Sequence, residues 1–237
     1  VHPRGLRMSD TPALHTPAVP GFAELVAATN YSFLRGASHP AEMVAEAIAL
    51  GMTGIGIADR NSVAGVVRAW AYLKEQQVKK PEMVEGFRLV VGARLVFADG
   101  TPDIVAYPVS RHGWGRLTRL LSVGNLQAQK GDCILGLQDL LGHCEDLLLI
   151  AMEGDEELLR TLKRARPKSV WLAATMPQSG TDARRLAKLQ RLSAATGVPL
   201  LATNDALYAT MGQRPLHDII TCIRGGTTVL EAGRLVR

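Results

Sequence analysis

The sequence lacks the residue patterns on which most hydrolytic and metal sites are built. Its three cysteines are odd in number, widely spaced and without a C-x-x-C pair, so neither a disulfide framework nor a zinc cluster is expected. None of its six histidines stands in H-x-H or H-x-x-x-H spacing. G-x-S-x-G, Walker and G-x-G-x-x-G motifs are missing too, which argues against a serine hydrolase and a phosphate cradle.

Aromatic residues and long apolar runs are also scarce. Aromatics make up 5% of the 237 residues, and no stretch interleaves them with basic residues as a platform for single-stranded nucleic acid would. The net charge of +5 suits a polyanionic partner, but the arginines are scattered, so a solvated basic surface is an equally good interpretation. No apolar stretch reaches the length of a bilayer span, so we expect no membrane association. The cysteine usage favours a reducing cytoplasm.

What the chain does contain is an alternation of β-rich runs and helical patterns, which predicts an α/β barrel with parallel strand pairing. Pro40 and Gly51 mark the start and end of a first helix, Ser62 is expected to cap a second, and residues 79–86 are expected to form an exposed loop. The predicted strands lie at 22–28, 54–58, 87–92, 95–98, 103–107, 147–152, 170–174 and 198–203.

The domain organisation follows from the same pattern. Residues 1–21 are basic and proline-rich and lack the apolar core of a secretory signal, so we expect a flexible leader or an expression remnant there. Residues 22–237 are long enough to form one barrel domain.

In such a barrel the residues that follow the strands line the functional site. Asp59 and Asp205 stand at two of these positions and could bind a hard metal ion, since carboxylates from neighbouring strand ends can share one cation. Two carboxylates alone make a poor site, and capping a helix or pairing with an arginine is the commoner role of an aspartate at a strand end.

Four segments of the chain resemble one known family. They are TNYSFLRGASHPAEMVAEAIALGMTGIGIADRNSVAGVVRA, VVGARL, PLLATNDALY and RPLHDIITCIRGGTTV. In this order they are similar to the PHP (polymerase and histidinol phosphatase) domain at the amino terminus of bacterial C-family DNA polymerases, and in particular to the error-prone alpha subunit related to DNA polymerase III. The resemblance extends from Phe22 to the last residue and implies a distorted TIM-like barrel of about seven βα units.

The resemblance also implies that a metal site has degenerated. Metal-binding members hold divalent cations (Zn, Mn or Mg) through motifs whose positions here are Val26 and Ala28, Asp59 and Arg60, Arg94, and Asp205 and Leu207. Only the two aspartates remain as possible ligands, because apolar side chains cannot ligate a metal and arginines repel one. We therefore expect neither a bound metal nor a catalytic residue. We hypothesise that Arg60 or Arg94 fills the former metal cavity and pairs with Asp59 or Asp205.

Three functions from different classes remain open. The resemblance favours a non-catalytic barrel of a DNA-damage-inducible polymerase for translesion synthesis, which stabilises the alpha subunit and positions its other domains. DNA would then be bound through the parent chain, whose polymerase site lies outside this fragment. The alternatives are a PHP phosphoesterase or proofreading exonuclease with a reduced ligand set, and a free-standing module that binds nucleic acid. The sequence identifies no residue that contacts nucleic acid.

Overall fold

The computed structural model describes residues 21–178 and 180–236. The predicted leader therefore lies, apart from Gly21, outside the described residues. Seven strands form one sheet whose spatial order follows the chain. They are β1 (Ala23–Ala27), β2 (Gly54–Arg60), β3 (Arg88–Leu95), β4 (Ile104–Pro108), β5 (Leu147–Ala151), β6 (Val170–Ala174) and β7 (Leu200–Ala202). The α/β barrel-like fold predicted from the sequence is confirmed.

The sheet curls until its last strand approaches its first. Ala206, just after β7, forms a parallel bridge with Ala27. The Ala28 amide donates to the Ala206 carbonyl and the Ala206 amide donates to the Val26 carbonyl, both at 2.9 Å. These backbone hydrogen bonds bring the ends of β7 and β1 together at one edge of the sheet.

The expectation of parallel pairing throughout is wrong at β4. Strands β1 to β3 and β5 to β7 pair in parallel, but β4 runs antiparallel to both β3 and β5. Residues 96–103 are too few for the crossover that a parallel pair needs. The run predicted at 87–92 lies in β3, which extends to Leu95, so the separate strand predicted at 95–98 is wrong and only its first residue is in a strand. Because β4 is reversed, the residue before it, Asp103, lies at the edge where the parallel strands end.

Eight α-helices accompany the sheet in the described part of the chain, with short 3₁₀ turns at Met211–Gln213 and Gly233–Val236. They are α1 (Pro40–Ala49), α2 (Val66–Lys79), α3 (Pro81–Val84), α4 (Arg111–Leu126), α5 (Leu137–His143), α6 (Glu156–Ala165), α7 (Asp182–Thr196) and α8 (Arg214–Gly225). None of these helices is long and apolar enough to cross a bilayer.

The helix boundaries confirm some predictions and correct others. Pro40 opens α1, and Gly51 follows its end with a φ of +69°, which glycine adopts without strain. Helix α2 begins at Val66 with Gly65 before it, so Ser62 does not cap it. The predicted loop at 79–86 contains α3, whose Val84 is buried against the cluster under α1 and α2.

The interior of the curled sheet is filled by apolar side chains from β1, β2, β4, β5 and β6. Tyr107 lies among them, and its hydroxyl donates to the Leu25 carbonyl at 2.6 Å. Gly56 and Gly92 make room for this ring, since an added Cβ at either position would overlap it. The polar side chains described next begin above this packed interior.

Candidate functional site at the carboxyl ends of the strands

The predicted metal-site positions meet at one edge of the sheet, but most of them carry no ligand. Val26 and Ala28 are buried at the end of β1, and Leu207, after β7, is partly buried. Arg60 ends β2 and is in register with Arg94 on β3, so the two arginines are direct neighbours. The structure thus brings apolar and cationic side chains to the place where the resemblance implies metal ligands.

Arg94 occupies the centre of this edge. Its Nη1 donates to Asp205 Oδ1 at 2.7 Å, and its Nη2 lies 3.4 Å from Asp205 Oδ2. Its Nε donates to Asp103 Oδ2 at 2.8 Å. The Arg94 side chain is only 15% exposed. Burial by itself lowers the pKa of Arg94, but the attraction of Asp205 and Asp103 outweighs it, so the pKa lies above its ordinary value and the guanidinium stays charged.

Arg60 extends the same network. Its Nη1 lies 3.3 Å from Asp103 Oδ2, so Asp103 accepts from both arginines. Four side chains therefore form a chain in the order Arg60, Asp103, Arg94, Asp205. The hypothesised pairing of Arg94 with Asp205 is observed, whereas Arg60 pairs with Asp103 and with neither of the two aspartates considered from the sequence.

Asp59 is fully buried and pairs with no arginine of the described chain. Its Oδ1 accepts from the Thr29 amide and the Ser32 hydroxyl, both at 2.7 Å, and its Oδ2 accepts from the Thr29 hydroxyl at 2.9 Å. The Ser32 oxygen in turn accepts from the Arg60 amide at 3.0 Å. Burial raises the pKa of Asp59, while these hydrogen bonds act in the opposite direction. Asp59 therefore anchors the segment that follows β1.

Glu24 is a buried carboxylate that was not among the site residues predicted from the sequence. Its Oε1 accepts from the Val26 amide at 2.7 Å and from the Thr203 hydroxyl, and its Oε2 accepts from the Asn204 amide at 2.7 Å. Burial raises its pKa, against the effect of these donors. Glu24 thus ties β1 to the residues that follow β7. A lone acidic residue inside the otherwise apolar strand AELVA was the signal that could have revealed it.

Two histidines near the carboxyl ends of the strands lie away from this network. His39 precedes α1, and its Nδ1 is 3.0 Å from the side-chain nitrogen of Asn30. His217 is half-buried against the Tyr208 ring at a centroid distance of 5.6 Å. Neither contacts Arg94, Asp103 or Asp205, so neither is a base at this site.

The divalent metal implied by the resemblance does not fit these residues. Among the residues that the structure describes, no three His, Cys, Asp or Glu side chains form a group that could hold a metal ion. Both oxygens of Asp205 face the Arg94 guanidinium, and both oxygens of Asp59 accept hydrogen bonds from Thr29 and Ser32. A hard cation needs several free oxygen ligands, and this edge offers none in a group.

Comparisons with known proteins identify the family to which this chain is similar. A model of the PHP domain matches residues 24–174. Error-prone DNA polymerase of Brucella abortus biovar 1 is 49% identical over 225 residues, which cover 92% of this chain and 20% of that protein. Error-prone DNA polymerase 1 of Rhizobium meliloti is 50% identical over 224 residues, which cover 91% of this chain and 19% of that protein. The chain thus spans about a fifth of the length of these relatives.

A solved structure is similar at the level of the fold alone. An amidohydrolase from Chromobacterium violaceum superposes with a TM-score of 0.51 at 14% identity, over 78% of this chain and 87% of that one. At this identity the likeness supports the barrel-type architecture and nothing about the chemistry of the edge.

Proposed function

The chain belongs to the PHP domain family, and we propose that it is the PHP domain of an error-prone polymerase alpha subunit whose metal site has degenerated. In this proposal the parent polymerase acts in the cytoplasm, in DNA repair by damage-inducible translesion synthesis. The domain hydrolyses nothing. It stabilises the alpha subunit and positions the neighbouring domains.

The observation that carries the proposal is the position of the Arg94 guanidinium. It lies between the carboxylates of Asp205 and Asp103, at 2.7 and 2.8 Å. A bound cation between carboxylates neutralises them and holds them together, and a guanidinium with several fixed donors does the same without any metal. Three carboxylate oxygens that a metal would need accept from the guanidinium instead.

The network also supports a structural role because of what it connects. Arg60 and Arg94 come from β2 and β3, Asp103 precedes β4, and Asp205 follows β7. The seam between β7 and β1 is otherwise joined by the Ala27–Ala206 bridge and by Glu24. The ion pairs therefore connect β2 and β3 to the segment that follows β7, across the carboxyl ends of the strands.

An uncovered helix face supports the positioning role. Leu216, Ile219 and Ile223 lie at helical spacing on α8 and are each about half exposed. Since the curated relatives are about five times longer than the matched segment, we propose that one of the other domains of the alpha subunit covers this face.

The positioning role is tested by one substitution in two proteins. In the longer polymerase, Ile219→Asp should lower the melting temperature, because it places a charge in an apolar domain interface. In the isolated chain the same change should have a much smaller effect, since about half of Ile219 is already exposed there. Val78→Asp on the exposed side of α2 is the control. Equal effects in the two proteins would contradict an interface at α8.

The degenerate site is tested by metal content and hydrolysis. The purified chain is incubated with manganese or zinc and desalted, and bound metal and the cleavage of a chromogenic phosphodiester are measured. We expect the same background for the unmodified chain, for Asp205→Ala and for Asp132→Ala, an exposed control. Stoichiometric metal that is lost only in Asp205→Ala, together with metal-dependent cleavage, would instead establish the PHP phosphoesterase.

A further inference from the structure

The turn after β1 displays an aromatic side chain in solvent. Phe33 is 82% exposed, between the buried Ser32 and Leu34, whose φ is +54°. A phenylalanine exposed to this extent leaves its apolar ring area in water, where it is free to stack on a planar partner.

The backbone that carries Phe33 is fixed from below. The Ser32 amide donates to the Thr29 carbonyl at 2.8 Å, and the Arg35 and Gly36 amides both donate to the Ser32 carbonyl. Asp59 holds Thr29 and Ser32, as described above. An added Cβ at Gly36 would overlap the Thr29 carbonyl, so the turn is closely packed. A turn held in this way requires little ordering when it binds a ligand.

Three arginines converge on the same turn. Arg35 belongs to it, Arg224 Nη1 donates to the Leu34 carbonyl at 2.8 Å, and the charge of Arg60 is close enough to act on the Arg35 guanidinium. The Arg35 side chain forms no hydrogen bond or ion pair with a described residue. Burial lowers the pKa of Arg35, and the nearby positive charges of Arg60 and Arg224 lower it further.

The carboxylates nearby do not neutralise these arginines. Asp205 pairs with Arg94, and Asp103 Oδ2 is shared by Arg94 at 2.8 Å and Arg60 at 3.3 Å. Asp59 is buried, and its oxygens accept from three donors. Two carboxylates therefore serve four arginines, and the charges of Arg35 and Arg224 have no ion-pair partner among the described residues.

We propose that this surface, formed by Phe33, Arg35, Arg60 and Arg224, binds single-stranded DNA. Phe33 stacks on one base, and the arginines contact the phosphates on either side of it. Sites that bind single strands combine positive charge along the backbone path with exposed aromatic rings, and this surface offers unpaired arginines and one exposed ring. The proposed function enters only in the choice of DNA as the nucleic acid.

The combination was invisible in the sequence because its parts are far apart in the chain. Arg60 and Arg224 reach the turn through the fold, from the end of β2 and from the last turn of α8. No single stretch of the sequence interleaves aromatic and basic residues, so a search along the chain finds nothing.

The test is the binding of a fluorescent twelve-nucleotide thymidine oligomer to the full chain, followed by anisotropy over a series of salt concentrations. Phe33→Ala should weaken binding at least about fivefold, because stacking of one base is lost, and should leave the salt dependence unchanged. Arg35→Ala should reduce the slope of log K against log salt by about 0.7, the value for one phosphate contact on a single strand. Phe33→Trp should bind as well as the unmodified chain.

Two controls match these changes on the opposite edge of the sheet. Trp114 lies in the first turn of α4, which starts at that edge because β4 is reversed, and Arg191 lies in the second half of α7. Trp114→Ala and Arg191→Ala should bind like the unmodified chain. Inorganic polyphosphate should bind Phe33→Ala and the unmodified chain equally, since it offers no base to stack.

Several results would overturn the proposal. Affinities of Phe33→Ala and Arg35→Ala equal to those of the controls would remove the site. Tighter binding of duplex DNA would contradict stacking on an unpaired base, and tighter binding of a polyglutamate peptide would indicate an acidic protein partner. Metal-dependent cleavage of the oligomer would contradict the proposed function and leave the binding site intact, so the two failures are distinguishable.

Discussion

Removal of the Arg94 guanidinium is the perturbation that most directly probes the edge of the sheet. Arg94→Ala deletes the donors that now hold Asp103 and Asp205, at distances of 2.7 to 3.4 Å. The two carboxylates then face each other's charge without the cation between them. The variant keeps every backbone hydrogen bond of β3, so its effect reports on the network alone.

The magnitude follows from the exposure of the three side chains. Breaking a fully buried ion pair by removing one partner costs about 3–5 kcal/mol. Arg94 is 15% exposed, and Asp103 and Asp205 are 24% and 29% exposed, so water screens part of the loss. We expect a loss of about 2–3 kcal/mol in the free energy of unfolding. For a domain of this size, each kcal/mol lowers the melting temperature by about 2–4 °C, which gives a decrease of about 4–12 °C.

The assay is thermal unfolding followed by circular dichroism, with Arg191→Ala as a control that removes an exposed arginine from α7. A double-mutant cycle with Asp205→Ala isolates the pair, and we expect a coupling energy of at least about 1 kcal/mol. If Arg94→Ala had the same melting temperature as the control, or if the effects of the two changes were additive, the reasoning would be refuted. The ion pairs would then contribute nothing measurable to stability.

Three further predictions follow from the same structure. Gly36→Ala should destabilise the chain by about 2 kcal/mol, because the added Cβ overlaps the Thr29 carbonyl. Gly115→Ala, at a position of α4 with open space around it, should stabilise the chain by about 0.5–1 kcal/mol. Equal urea midpoints for the two variants would contradict the close packing of the turn. Burial raises the pKa of Glu24, so its contribution to stability is present below its unfolded pKa of about 4.3 and is lost as pH rises through the folded value. The stability of Glu24→Gln, measured by urea unfolding, should therefore depend less on pH than that of the unmodified chain. Parallel pH profiles of the two proteins would refute this. A chelator should leave the melting temperature of the purified chain unchanged, since Arg94 rather than a metal holds the carboxylates, and a decrease reversed by added zinc or manganese would show a metal that contributes to folding.

The sequence was sufficient to predict where all seven strands lie and most of their bounds, although it also predicted an eighth strand at 95–98 that does not form. Residues 170–174 form a strand as predicted, and Pro40 and Gly51 delimit α1. These features depend on local chemistry: apolar runs, a fixed φ at proline and a free φ at glycine. The reversed direction of β4 follows from the short connection between β3 and β4. The expectation of repeated βα units led to the wrong prediction of a parallel strand there.

The residues of the site could be predicted only at positions that belong to a known family motif. The pair of Arg94 and Asp205 was one of four pairings considered from the sequence, because both residues stand at family positions. Asp103 and Glu24 were missed, since one precedes a reversed strand and the other is a single polar residue in an apolar strand. Their partners lie on other strands, and the sequence of a single segment contains no information about such contacts.

In the proposed function an arginine of the chain takes the place of a bound metal, which changes both the chemistry of this edge and its dependence on ions. A metal contributes stability that increases with its free concentration, and it brings a water molecule that can attack a phosphodiester. Arg94 is always present, so the carboxylates are held without any ion in solution, but a guanidinium activates no water. A strand bound at Phe33 and Arg35 would then be held beside an edge that cannot cut it. Under the proposed function, a polymerase domain with both features would keep contact with DNA without degrading it.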